Sequence, residues 1–198
     1  GKPITSSYEY ETIALMGTNL GIIDPDVIAH FDRIVDAIGL DTIELGSAMG
    51  VAASAGKMKM GDSDGAYKLL EEIEQGTDLG NALGNGVVAT CKYLGIDRVP
   101  AYKGQSMPAH DGRATKSTGV TYATSPMGAD HTAGISYEDP QAKEGQVDRS
   151  LKMQIFCSMA DTLGLCILSA PTDPTRLFIY LRGLLKGRYG TDISANEL

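Results

Sequence analysis

Six stretches of this chain repeat apolar residues at intervals of three and four, and most open on a capping residue or close on glycine. That pattern marks amphipathic helices. Residues 24–38, DPDVIAHFDRIVDAI, show it most clearly. Asp24 is placed to cap, Pro25 suits the first turn, Ile28, Phe31, Val35 and Ile38 form one stripe, and Gly39 follows. A second helix starts near Thr42, where Asp41 and Glu44 have the spacing of a capping box. Its middle, GSAMGVAASAG, is built of small residues and predicts the close approach of another backbone. Residues 64–75 form a third helix with Ala66, Leu69, Leu70 and Ile73 inward, and 78–94 a fourth with Leu79, Leu83, Val87, Cys91 and Leu94 on one side. The pattern returns at 148–163, with Leu151, Ile155, Met159 and Leu163 in line. A last helix starts at Asp173-Pro174 and carries Leu177, Leu181, Leu184 and Leu185. No stretch alternates as a strand would. The fold class is therefore all-α, divided into a first helical domain over 1–100 and a second over 101–198.

Between these helices, residues 99–141 are rich in Gly, Pro, Ser and Thr and weakly periodic. Loops of that length inside a compact domain are usually functional. The smaller motifs nearby point nowhere specific. GNALGNG (80–86) lacks the spacing of a dinucleotide loop, and GDSDG (61–65) reads as a helix start rather than a calcium loop. His30 reads as a surface or packing residue, and His110 has no partner that the sequence names. A net charge of −8 argues against nucleic acid or an anionic membrane as partner. No apolar run is long enough for a membrane helix, and GKPITSSYEY lacks the apolar centre of a signal peptide. The three cysteines, at 91, 157 and 166, have no paired spacing and point to free thiols in a reducing cytoplasm.

One phrase occurs twice. DAIGLD at 36–41 and DTLGLC at 161–166 share Asp-x-x-Gly-Leu, 125 positions apart. Each glycine falls just past a helix end and each leucine one further on, which is how many helices stop. The aspartates are different. Each lies in a last helical turn, where the dipole disfavours a negative charge by about 0.3–1 kcal/mol. Two at the same offset suggest an outside donor or cation, and a ligand made of two similar halves. The altered last letter gives Asp41 a capping role and leaves Cys166 as a candidate ligand for a soft metal.

With these phrases the blocks YETIALMGTNLGIIDPDVIAHFDRIVDAIGLDTIELG (10–46), KGQSMPAHDGRATKSTGVTYATSPMGADHTAG (103–134) and DTLGLCILS (161–169) resemble the tungsten-containing aldehyde ferredoxin oxidoreductase family over nearly the whole chain. The resemblance implies the two helical domains that follow that family's N-terminal β domain. It implies a tungsten, or molybdenum, held by two molybdopterin-type cofactors. Asp36, Leu40 and Asp41 would serve one pterin, with Thr42 supporting them, and Asp161, Leu165 and Ile167 the other. Cys166 matches the fourth ligand of a [4Fe-4S] cluster, with ferredoxin as electron acceptor and a small aldehyde as substrate. Glu11 matches a proton-moving carboxylate near the metal, and His131 a histidine that hydrogen-bonds the substrate carbonyl. The implied partners also include the β domain itself and leave room for a homodimer.

The chain departs from the pattern in places. The family's other cluster cysteines form a Cys-x-x-Cys-x-x-x-Cys run just before the YET block, and this chain starts after it. One thiolate cannot hold a [4Fe-4S] cluster. The expectation is a piece of a longer enzyme that by itself binds neither tungsten nor cluster and is inactive. Met127-Gly128 stands where Arg-Gly is more usual, which leaves the substrate open; relatives of this type also serve other acids and aromatic thioesters. The rival reading is a non-catalytic helical scaffold that keeps the fold.

Overall fold

The computed structural model describes residues 8–167, 169, 173–194 and 197. Nearly all the regular structure in them is helical. Helix α1 (Tyr10–Thr12) runs into a π-helical turn (Ile13–Gly17) and a 3-10 turn (Thr18–Leu20). Helix α2 (Pro25–Ile38) starts on Asp24, whose side chain accepts a hydrogen bond from the Asp26 N–H at 2.9 Å. Helix α3 (Thr42–Ser54) starts on Asp41, which accepts from the Glu44 N–H at 2.7 Å. Helix α4 (Ser63–Gln75) starts on Asp62, the capping role expected of GDSDG. Then come α5 (Asp78–Gly84) and α6 (Gly86–Leu94), a short antiparallel hairpin of β1 (Ala101–Tyr102) and β2 (Gln105–Ser106), and α7 (Lys116–Thr124). A 3-10 turn (His131–Ala133), α8 (Gln146–Thr162) and α9 (Pro174–Tyr189) complete the described chain. None of the described helices is long and apolar enough to cross a membrane.

Helix α3 is the hub. It is buried along most of its length, among Met16, Leu20, Phe31, Val35, Leu70, Leu83 and Val87. Small residues are what allow this. A Cβ placed on Gly46 would come within 2.7 Å of the Leu15 backbone, so α3 lies directly against the π-helical turn that follows Glu11. The close backbone approach predicted from GSAMGVAASAG is present.

Four features differ from the sequence expectation. The helix expected over 78–94 breaks at Asn85, with Gly86 at φ 89°. The break has a tertiary cause: the Glu44 carboxylate accepts the Val87 N–H at 2.8 Å and caps α6 from outside. Glu44 therefore does not close a capping box on Asp41. Its second oxygen accepts the Ser106 N–H at 2.9 Å and ties the hairpin to the same point. Helix α7 was not expected, because its inward residues Ser117, Thr118 and Thr121 are polar and show no apolar period. Finally, the apolar stripe of α8 faces outward. Leu151 is 55% and Ile155 53% exposed, while Gln146, Ser150, Cys157 and Ala160 are buried instead. Thr121 and Ser150 share a buried hydroxyl contact of 2.8 Å, so this helix pair packs through its polar faces.

Candidate functional site

Three segments far apart in the chain meet around Glu11. Helix α1 supplies Glu11, the loop after β2 supplies Ala109 and His110, and the 3-10 turn supplies His131. Glu11 is only 7% exposed. Its Oε2 accepts the Ala109 N–H at 2.8 Å. Its Oε1 lies 3.1 Å from His110 Nε2 and 3.8 Å from His131 Nε2. The His110 contact is close but badly angled for a hydrogen bond, so among the described residues Oε1 is buried without a well-aligned donor. The two imidazoles stack, with ring centres 5.0 Å apart and an angle of 28° between planes.

The surroundings hold these rings in place. The Tyr137 hydroxyl lies 3.1 Å from His110 Nδ1, and the Tyr122 hydroxyl donates to the His110 carbonyl at 2.7 Å. Burial, with nearby carboxylates adding to it, pushes the Tyr122 phenol well above its ordinary range, so it stays a donor. Asp130 accepts from the Thr132 N–H at 2.8 Å and starts the turn that carries His131. Burial alone would raise the Glu11 pKa. The His110 side chain, the Ala109 N–H and the electrostatic pull of the two nearby imidazoles outweigh it, and the carboxyl lies below its ordinary value. Burial lowers the pKa of His131, and the Glu11 charge only partly offsets this. A carboxylate base beside a neutral imidazole is the favoured state.

Both copies of the repeated phrase end their helices in the same way. Gly39 (φ 77°) and Gly164 (φ 66°) are left-handed. The Leu40 N–H donates to the Val35 carbonyl and the Gly39 N–H to Asp36; Leu165 donates to Ala160 and Gly164 to Asp161. These are paired Schellman bonds. The same closure occurs at Gly76 and Gly95, so the Gly-Leu part of the phrase is explained by helix termination alone.

The carboxylates lead to hollows. Asp36, Leu40, Asp41 and Thr42 line one cleft of about 300 Å³ with Glu9, Thr12 and Asp32. The Thr12 hydroxyl lies 3.0 Å from the Thr42 hydroxyl and donates to Asp32 at 3.4 Å. Thr12 follows Glu11 in the chain, so the cleft is lined by the sequence neighbour of Glu11. Asp161 lines a different groove, of about 710 Å³, with Asp130 and Thr132 on either side of His131 and with Met127, Leu151 and Ile155. Asp36 and Asp161 thus line two separate hollows rather than the single shared cleft that one two-armed ligand predicts. Ile167 lines a third hollow, of about 580 Å³, with Phe156 and Met153. Leu165 is half-buried. Cys166 is an exposed free thiol, whereas Cys91 and Cys157 are buried free thiols. His30 packs on Tyr67, its Nδ1 2.8 Å from the hydroxyl, in the packing role expected of it.

The family profile described as aldehyde ferredoxin oxidoreductase, domains 2 and 3, matches residues 1–198. The chain belongs to this family. Similar proteins include an aliphatic sulfonate oxidoreductase, WOR-like subunit, of Pyrococcus furiosus, 31% identical over 66% of this chain and 24% of its own length. Tungsten-containing aldehyde ferredoxin oxidoreductases of Thermococcus kodakarensis and Pyrococcus furiosus are 27% and 25% identical, over 84% and 83% of this chain and 32% of their own length. The chain spans about a quarter to a third of the length of these curated relatives. The helical architecture agrees with domains 2 and 3 of an aldehyde ferredoxin oxidoreductase.

His110 is the residue that sequence reasoning missed. It lies in a polar loop with no ligand-type spacing to any neighbour, and only folding brings it to Glu11. The length of the weakly periodic segment was the one available signal: it supplies Ala109, His110, His131 and Tyr137 together.

Proposed function

We propose that this chain is the cofactor-binding helical part of a tungsten–pterin oxidoreductase that converts an aldehyde and water into a carboxylate. The observation that carries the reading is the buried Glu11 carboxylate, held below its ordinary pKa beside His131, with the residues that flank each of them in sequence lining carboxylate-bearing hollows. The donor set suits a bicyclic pterin. The cleft at Asp36 offers carboxylate and hydroxyl acceptors to ring N–H groups, and among the described residues only one Asp41 oxygen is used in capping α3. Asp36, Leu40, Asp41 and Thr42 would hold one pterin, and Asp161, Leu165 and Ile167 the other. Molybdenum is the alternative metal.

The reaction releases two electrons and three protons for each aldehyde and water consumed. A bound tungsten–pterin centre supplies the acceptor for the electron pair. Glu11 takes a proton as water adds to the carbonyl carbon, because its charged form is the stable one at neutral pH. The Ala109 N–H holds the other carboxylate oxygen and so fixes which oxygen is free to react. Neutral His131 donates an N–H to the substrate oxygen as negative charge develops there. Cys166, exposed at the end of the second phrase, is the residue that would ligate one iron of a [4Fe-4S] cluster, with ferredoxin as final acceptor.

A second reading has one observation behind it. Met127, in the position where Arg is usual, lines the Asp161 groove, and a similar protein is a sulfonate oxidoreductase subunit. The test is aldehyde-dependent reduction of a viologen dye by the tungsten-loaded full-length protein. Turnover with aliphatic or aromatic aldehydes is expected. Turnover with a sulfonate and none with any aldehyde would move the assignment to the second reading.

A further inference from the structure

We infer that Glu11, His110 and His131 form a binding site for a single divalent transition ion of the zinc type, separate from any pterin-held metal. One ligand atom from each residue lies within 4.8 Å of the other two. A tetrahedral ion with bonds of about 2.0–2.2 Å needs ligand atoms roughly 3.4 Å apart. Glu11 Oε1 stands 3.1 Å from one imidazole nitrogen and 3.8 Å from the other, which brackets that value.

A second, independent observation points to a ligand. Among the described residues Glu11 Oε1 is a buried carboxylate oxygen with no well-aligned hydrogen-bond donor, and it lies near both Nε2 atoms. Such an atom is normally satisfied, and its exceptions call for an explanation. The supporting contacts are those a metal site requires. The Ala109 N–H holds the carboxylate by its other oxygen, and the Tyr137 hydroxyl lies 3.1 Å from His110 Nδ1. That contact fixes the ring with Nε2 free to ligate. Two imidazoles and one carboxylate suit zinc or ferrous iron and leave a coordination position open. His110 also lines a hollow of about 500 Å³ with Tyr10 and Tyr137, a route by which an ion can reach the site.

Under the proposed function the ion would occupy the oxygen that Glu11 uses to take a proton, so zinc would act as an inhibitor. The binding claim itself rests on geometry alone and is read without turnover. The experiment is equilibrium dialysis of the full-length protein against buffered Zn²⁺, with zinc and tungsten measured in the same samples. One zinc per chain is expected beyond any other metal, lost in Glu11→Gln and in His110→Gln. Tyr137→Phe changes an exposed residue that supports the site without being a ligand, and it should weaken zinc binding about tenfold. No retained zinc, or equal retention in folded Glu11→Gln, His110→Gln and Tyr137→Phe proteins, would overturn the inference. Tungsten content tests the oxidoreductase reading separately, so either can fail alone.

Discussion

Glu11→Gln in the full-length protein is expected to lower kcat for aldehyde oxidation by about 10²–10⁴-fold with little change in structure. The substitution is nearly isosteric. The new amide oxygen still accepts the Ala109 N–H, which is the bond that holds the side chain in place. What disappears is the ability to take a proton, together with the carboxylate oxygen that lies 3.1 Å from His110 Nε2. Because Glu11 lies below the ordinary carboxylate pKa, the wild-type base stays charged throughout the neutral range and loses activity only as the pH falls through that depressed value. Steady-state rates across pH, with circular dichroism as a control for folding, measure this. A variant that keeps a third or more of wild-type kcat would remove Glu11 from the chemistry.

The second large effect concerns Glu44, which binds nothing catalytic. Glu44→Ala leaves the Val87 and Ser106 N–H groups without their acceptor and removes the external cap of α6. Each orphaned, partly buried donor costs about 1–2 kcal/mol, so the expected loss is roughly 2–4 kcal/mol. For a chain of this size that corresponds to a fall of roughly 5–15 °C in apparent Tm. Glu44→Gln keeps one carbonyl acceptor and should lose about half as much. Activity should fall too, because Ser106 leads directly into the Met107–His110 segment that positions Ala109 and His110 against Glu11. Thermal unfolding of the two variants decides it. A loss below about 1 kcal/mol for Glu44→Ala would mean that water replaces the carboxylate and that the hairpin is held by other contacts.

Much of the architecture could be read from local chemistry. The starts of α2, α3, α4 and α9 lie on the Asp residues whose side chains cap them, and the ends of α2, α4, α6 and α8 lie on left-handed glycines. Such features involve residues within a few positions of one another, so the sequence displays them directly. The small residues of α3 were legible for a related reason, since only a lack of side-chain volume lets α3 lie against the Leu15 backbone. The failures were all tertiary. Asn85 ends α5 where the left-handed Gly86 gives a local turn signal, but the Glu44 carboxylate that reaches Val87 from α3 is encoded by nothing nearby. Periodicity located α8 but assigned it the wrong face, because α7 offers it hydroxyls rather than an apolar surface.

The candidate site divides in the same way. The two Asp phrases stood out as a repeat in the sequence itself, whereas Glu11 and His131 were identified through a family resemblance, and the family is established by the match over 1–198. His110 was not found, because its role depends on a loop closure that no short-range pattern records. The fold adds a relation that the sequence does not contain. The first phrase shares a hollow with Thr12, the neighbour of Glu11, and the second shares one with Asp130 and Thr132, the neighbours of His131.

That relation bears on the proposed function, in which two matched helix ends would hold two like cofactor halves near a proton-handling pair. The most direct measurement is the tungsten content per chain of purified full-length protein, wild type against the Asp36→Ala, Asp161→Ala double variant. The account predicts close to one tungsten in the wild type and a small fraction of that in a folded double variant. Equal tungsten in both proteins would contradict it.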